Sequence, residues 1–151
     1  MRKKIVALLS ICLALVGLTA GAAPAPGWSE DKSFLAFFGH SAFMLSRGEV
    51  SIAIDPWLAG NPKATVAPTD LNPRYILVTH AHHDHLGDTA AIARRTGAKV
   101  VATAEVARLL REQGCETIPV HIGAVKKFEF GYVRVTPAFH GAGVAGGHAA
   151  G

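Results

Sequence analysis

Val78-Thr79-His80-Ala81-His82-His83-Asp84-His85-Leu86-Gly87 places four histidines and an aspartate within six residues, directly after an apolar stretch. Imidazole nitrogen and carboxylate oxygen are the donors that hold zinc and similar divalent ions. Crowded this closely, such groups repel protons and lose hydration unless a cation sits among them. A lone histidine is more often a packed or surface residue than a ligand. A His-x-His-x-Asp-His run after a strand has no comparable bland account, and it predicts a metal site.

The flanking sequence predicts where that site sits. Tyr75 to Thr79 reads as an apolar strand, so the histidines fall at a strand's carboxyl end, where open α/β sheets bind ligands. Upstream, Ser33 to Phe38 reads as a buried strand and Gly39-His40-Ser41 as a tight connection. Ala42 to Leu45 and Val50 to Ile54 read as a hairpin around Arg47-Gly48-Glu49. Asp55-Pro56 ends that strand, and a loop with Gly60-Asn61-Pro62 and Pro68 follows. Downstream, Asp88 is expected to cap a helix running through Arg95, with Arg94 and Arg95 in its last turn and Gly97 as its stop. Lys99 to Ala102 reads as a strand. Thr103 is expected to cap a second helix, in which Val106, Leu109 and Leu110 follow helical spacing up to Gly114. Phe128 to Phe130 and Tyr132 to Thr136 read as a hairpin around Gly131, with His140 beyond it. Strands alternate with helices but include hairpins, which predicts an α/β fold with a mixed sheet.

The first 22 residues read differently. Arg2-Lys3-Lys4, an apolar run from Ile5 to Leu18 and the small residues Ala20-Gly21-Ala22 form the pattern of a secretory signal peptide. The run is short for a membrane span of about 20 residues, with an uncleaved anchor as the alternative. Cys12 lacks the small residue expected before a lipidated cysteine. The expectation is an exported protein, periplasmic or secreted, with no stable membrane association after signal removal. Residues 23–32 read as a linker and 33–151 as the domain. Over the whole chain 15 basic residues oppose 11 acidic ones, a formal charge of +4; without Arg2, Lys3 and Lys4 the balance is 12 to 11, or +1. No basic stripe remains that predicts nucleic acid as a partner. Beyond the signal segment Cys115 is the single cysteine, so no intrachain disulfide is expected, and it reads as a buried thiol.

Residues two apart in an extended segment project to one side, so His80 and His82 can grip one ion together. His140, at the end of a later strand, can return to complete a three-histidine site. Asp84 and His85 lie just beyond and can hold a second ion. An open position on such an ion holds a water of lowered pKa.

His-x-His-x-Asp-His is the signature of the metallo-β-lactamase-fold superfamily, which this sequence resembles from about Ser33 onward. Phe38-Gly39-His40-Ser41-Ala42-Phe43, Ile54-Asp55-Pro56-Trp57, Gly60-Asn61-Pro62, Val78-Thr79-His80 and Pro137-Ala138-Phe139-His140 stand in the order of one branch. That branch comprises small metal-dependent hydrolases similar to L-ascorbate-6-phosphate lactonase. The resemblance implies an αβ/βα sandwich, of which this chain holds the N-terminal half, with a mixed sheet and helices. By position, His80, His82 and His140 would bind the first metal. Asp84 and His85 would bind the second, Asp84 also orienting the attacking hydroxide as the catalytic residue. Asp55 resembles a carboxylate that supports metal ligands; it reads equally as a turn-forming Asp before Pro. His40 reads either as lining the substrate cleft or as a turn histidine. His83, at the variable position, is expected to face solvent or to support the ligands from behind, and His121 and His148 carry no motif.

The family continues with another half-domain that supplies a bridging Asp and a last His for the second metal. This chain stops at His148-Ala149-Ala150-Gly151, so the domain is expected to be C-terminally incomplete, a fragment or a truncated gene product. Two ions are implied for the whole family fold and one or fewer stable ions for this chain. Zinc is the expected metal, with manganese or iron also suited to His/Asp donors. The implied function is metal-dependent hydrolysis of a small-molecule lactone, ester, amide or phosphodiester by a metal-bound hydroxide. A non-catalytic metal-binding remnant and a secreted β-lactamase are the alternatives.

Overall fold

The first strand shows the alternation that builds the sheet. In β1 (Phe34–Gly39), Phe34 and Ala36 turn toward the core while Leu35 and Phe37 stay 65% and 59% exposed. Successive strand residues point to opposite faces, so one face is covered and the other is not. A computed structural model describes residues 33–143 of the chain. The expected signal segment 1–22, the linker 23–32 and His148 lie outside the described residues.

β1 pairs antiparallel with β2 (Ala42–Arg47), and β2 with β3 (Val50–Ile54), which makes the hairpin expected around Gly48. β4 (Tyr75–Leu77), β5 (Lys99–Thr103) and β6 (Thr117–Val120) then add in parallel, giving a six-stranded mixed sheet in the order β1-β2-β3-β4-β5-β6. The predicted α/β class with a mixed sheet is the observed one. Parallel pairing needs crossovers. Between β4 and β5 these are a single helical turn α1 (His83–Leu86) and α2 (Thr89–Thr96); between β5 and β6 it is α3 (Ala104–Glu112). Ile92 and Ala93 of α2 and Val106 and Leu110 of α3 close over Met44, Ala53, Ile76, Val100 and Ala102 to form the core. The pair β7 (Val125–Phe128) and β8 (Gly131–Arg134) lies toward Tyr75, whose ring meets Phe128 and Phe130 at 5.8 and 4.9 Å. Among the described residues no helix is long and apolar enough to cross a membrane.

Four local expectations change. β6 carries Pro119 in a four-residue run too short to show a period, and it was not expected from sequence. The last hairpin turns at Glu129-Phe130 rather than around Gly131, which pairs with Phe128. Asp88 stands at the start of α2, but its side chain makes no cap bond. Its carboxylate instead accepts from the backbone N–H groups of Leu58 and Ala59 at 2.7 and 2.9 Å. Thr103 likewise begins α3 without a side-chain cap, and its buried hydroxyl has no partner among the described residues.

Candidate metal centre

The site forms where β3 and β4 end side by side. Asp55, which follows β3, takes φ +42 and is 2% exposed. A left-handed backbone is uncommon outside glycine, though Asp tolerates it better than most. The turn aims its carboxylate across to the residues that follow β4. There it accepts from the Thr79 backbone N–H at 2.8 Å, the Thr79 hydroxyl at 2.6 Å and His85 Nδ1 at 2.8 Å. The two readings of Asp55 therefore coincide, because it makes the turn and also supports histidines.

These bonds set the tautomers. A hydroxyl has one proton, and a carboxylate only accepts. The Thr79 hydroxyl therefore donates to Asp55 and must accept from His80 Nδ1, 3.0 Å away. His80 then carries its proton on Nδ1 and a lone pair on Nε2. His85 donates through Nδ1 and likewise keeps its Nε2 lone pair. Orienting a ligand ring through its far nitrogen is how carboxylates tune histidine metal sites.

His80 Nε2 lies 3.0 Å from His82 Nδ1, and His140 Nε2 lies 3.2 Å from that same atom. The three rings meet edge to face at centroid separations of 4.6 to 5.0 Å. His82 is extended, at φ −61 and ψ 145, immediately before α1, which keeps its ring on the side of His80. Burial, together with the nearby His85 and His82, lowers the His80 pKa and favours the neutral, ligating form. His140 arrives from the segment after β8, some 60 residues later, and is exposed.

A second group lies beside the first. Asp84 Oδ2 is 2.9 Å from His40 Nε2, and His85 joins them. Burial pushes the Asp84 carboxyl up, but a backbone hydrogen bond within its own residue and the imidazoles of His85, His83 and His40 outweigh it, holding Asp84 below its ordinary value. Within each group, His80/His82/His140 and His40/Asp84/His85, the donor atoms lie within 4.8 Å of one another. Two atoms on one zinc-like ion with bonds of about 2.0–2.2 Å can be at most about 4.4 Å apart, so small ring rotations suffice. The nitrogen and oxygen donors suit a borderline divalent cation, and inward lone pairs on His80 and His85 are what such an ion requires. The residues fit.

His83 is 88% exposed and 3.8 Å from the Asp84 carboxylate, so it stays outside both groups. His121 is exposed and joins neither. From sequence His40 reads as a cleft or turn residue, and Thr79 carries no role. The hydroxyl beside the first histidine of the motif was the available signal for Thr79. For His40 it was a histidine following glycine at a tight turn.

Residues 34–145 match the family described as the Beta-lactamase superfamily domain, and the chain belongs to that superfamily. Its mixed α/β sheet is the metallo-β-lactamase type of fold. Over 117 residues it is 49% identical to a UPF0173 metal-dependent hydrolase of Symbiobacterium thermophilum, covering 78% of this chain and 52% of that protein. A UPF0173 metal-dependent hydrolase of Natranaerobius thermophilus is 45% identical over 117 residues, with 78% of this chain and 53% of that protein covered. Igni18, a metallo hydrolase from Ignicoccus hospitalis, superposes with a TM-score of 0.68 at 35% identity, covering 78% of this chain and 53% of that one. The chain spans about half the length of these relatives.

Proposed function

We propose that this chain carries the metal-binding and water-orienting residues of a metal-dependent hydrolase whose substrate is a small-molecule lactone, ester, amide or phosphodiester. The observation that carries the reading is the pair of adjoining donor groups, His80/His82/His140 and Asp84/His85 with His40, one member of each supported by Asp55: His85 directly and His80 through Thr79. The names of the UPF0173 relatives support the same class. When bound, divalent ions would polarise a substrate oxygen and make water more acidic. His80, His82 and His140 would hold one ion, and Asp84 and His85 the other. In this reading Asp84 would face the second ion through Oδ2, the atom nearest His40, and Oδ1 would orient an attacking water. A cavity of about 500 Å³ opens beside His80 and His140, with Thr79, Thr103, Ile122 and Pro137 in its walls, and gives a small substrate a place to sit. Three imidazoles in one group favour zinc, while manganese and iron accept the same donors.

The protein is exported in this reading, its first 22 residues serving as a cleavable signal. N-terminal sequencing of exported protein would then start near Ala23; intact Met1 in a membrane fraction contradicts cleavage. The hydrolase reading is tested with a panel of lactone and phosphodiester substrates. Chelation removes turnover and zinc restores it, and Asp84→Ala lowers kcat by about 10²–10⁴-fold while one ion stays bound. Metal-independent turnover contradicts the reading, and tight metal binding without any turnover points to a metal-binding protein instead.

A further inference from the structure

We propose that His40 is a metal ligand, completing with Asp84 and His85 a second ion site built wholly from residues of this chain. The inference rests on the metal-dependent reading above. His40 Nε2 and Asp84 Oδ2 are 2.9 Å apart, a separation that two donors on a single ion adopt when each bond is about 2.0–2.2 Å. The His85 ring stands 5.3 Å from the His40 ring, with its Nδ1 held by Asp55 and its Nε2 lone pair free.

The chain goes to some length to place this imidazole. Gly39 and His40 both have positive φ, +106 and +54. A Cβ on Gly39 would come within 2.7 Å of the Lys63 carbonyl oxygen, so the turn is pressed against the 60s loop and cannot relax outward. Asn61 anchors that loop: its Nδ2 donates to the carbonyls of Trp57 at 3.0 Å and Gly39 at 3.4 Å. Ser41 Oγ donates to the Asp84 carbonyl at 3.3 Å, tying the β1–β2 turn directly to the helical turn that carries Asp84 and His85. The Trp57 ring meets His40 edge-on at 5.3 Å and limits its rotation.

An imidazole–carboxylate pair alone does not account for this arrangement. The two side chains are 42% and 28% exposed, and water screens such pairs until they contribute little. A left-handed backbone at a non-glycine residue costs more than that and persists where the surroundings enforce it, most often at functional sites. A shared cation repays the strain, because it binds His40, Asp84 and His85 at once.

The test measures zinc stoichiometry and affinity by calorimetry and metal analysis of the purified protein, without reference to turnover. The wild-type protein binds two ions. His40→Asn, whose side chain tolerates the left-handed turn, binds one, the affinity for the other falling at least about 100-fold. His140→Ala loses the other ion and keeps the one at His40. His40→Gly relieves the turn and leaves a gap; cobalt at the second site is then lost and is restored by millimolar imidazole, which a purely structural role for His40 would not produce. Two ions bound unchanged by His40→Asn overturn the proposal, as does a wild-type protein that binds one ion regardless of His40. Either result leaves the first site standing, whereas a protein that binds no zinc at all overturns the metal reading itself.

Discussion

His85 Nδ1 donates to Asp55 Oδ2 at 2.8 Å, across a gap of 30 residues in sequence. The same oxygen accepts the Thr79 hydroxyl proton, so one buried carboxylate holds His85 directly and His80 through Thr79. Asp55→Asn keeps the positive-φ turn but replaces one acceptor oxygen with a donor, so the Thr79 N–H, the Thr79 hydroxyl and His85 can no longer all be accepted. Zinc affinity should fall about 10–100-fold, as is usual when a ligand's supporting partner is lost, while the metal-free protein stays folded. Calorimetric titration with zinc checks the first outcome and circular dichroism the second. Unchanged affinity would show that Asp55 only shapes the turn.

The histidines of the motif should separate cleanly by role. His80→Ala and His140→Ala each remove the ion of the three-histidine group. His83→Ala leaves metal content unchanged, because its side chain is 88% exposed and outside both groups. Metal analysis of the three purified variants after dialysis decides the matter.

Gly87 closes α1 under the loop that carries Trp57. A Cβ there would sit 2.5 Å from Trp57 Cα, and φ is +37. Gly87→Ala should destabilise the fold by about 2–4 kcal/mol through overpacking and backbone strain. Gly97 also has positive φ, +74, but faces open space, so Gly97→Ala should cost only about 1 kcal/mol. Urea unfolding of the two variants gives the comparison, and equal costs would show that the close approach to Trp57 is unimportant.

Cys115 is 6% exposed, and burial raises its thiol pKa despite the opposing charge of Arg94. The folded state therefore holds the thiol proton more tightly than the unfolded chain does. Its contribution is complete below the unfolded pKa of about 8.5 and is lost as pH rises through the higher folded value. Stability should decline above about pH 8.5, and Cys115→Ala should remove that part of the slope. In protein carrying Cys12→Ser, iodoacetamide should label Cys115 slowly under native conditions and quickly in denaturant. Rapid native labelling at pH 8 would contradict a buried, protonated thiol.

A reader of the sequence could place the metal chemistry because it is local: His80, His82, Asp84 and His85 are donors by residue type, and their spacing brings them together wherever the chain goes. The strands β1 to β5 and the helices α2 and α3 were similarly legible, from apolar runs, helical spacing and the turn and stop residues that bound them. β6 was not, because four residues containing a proline carry no period. Asp88 was misread for a related reason: a cap is a local device, but its carboxylate was taken by the backbone of Leu58 and Ala59, about 30 residues away.

Sequence by itself determined the α/β class, the first group of donors and the end of the sheet at which they stand. Only the tertiary structure decided that Asp55 orients both His80 and His85, and that His40 stands with Asp84. Those relationships join the ends of β3 and β4 and the β1–β2 turn to α1, across 24 to 44 residues of chain. No local pattern encodes them, because they exist only once the hydrogen-bonded sheet has set the strands side by side and the packed helices have fixed the loops above it.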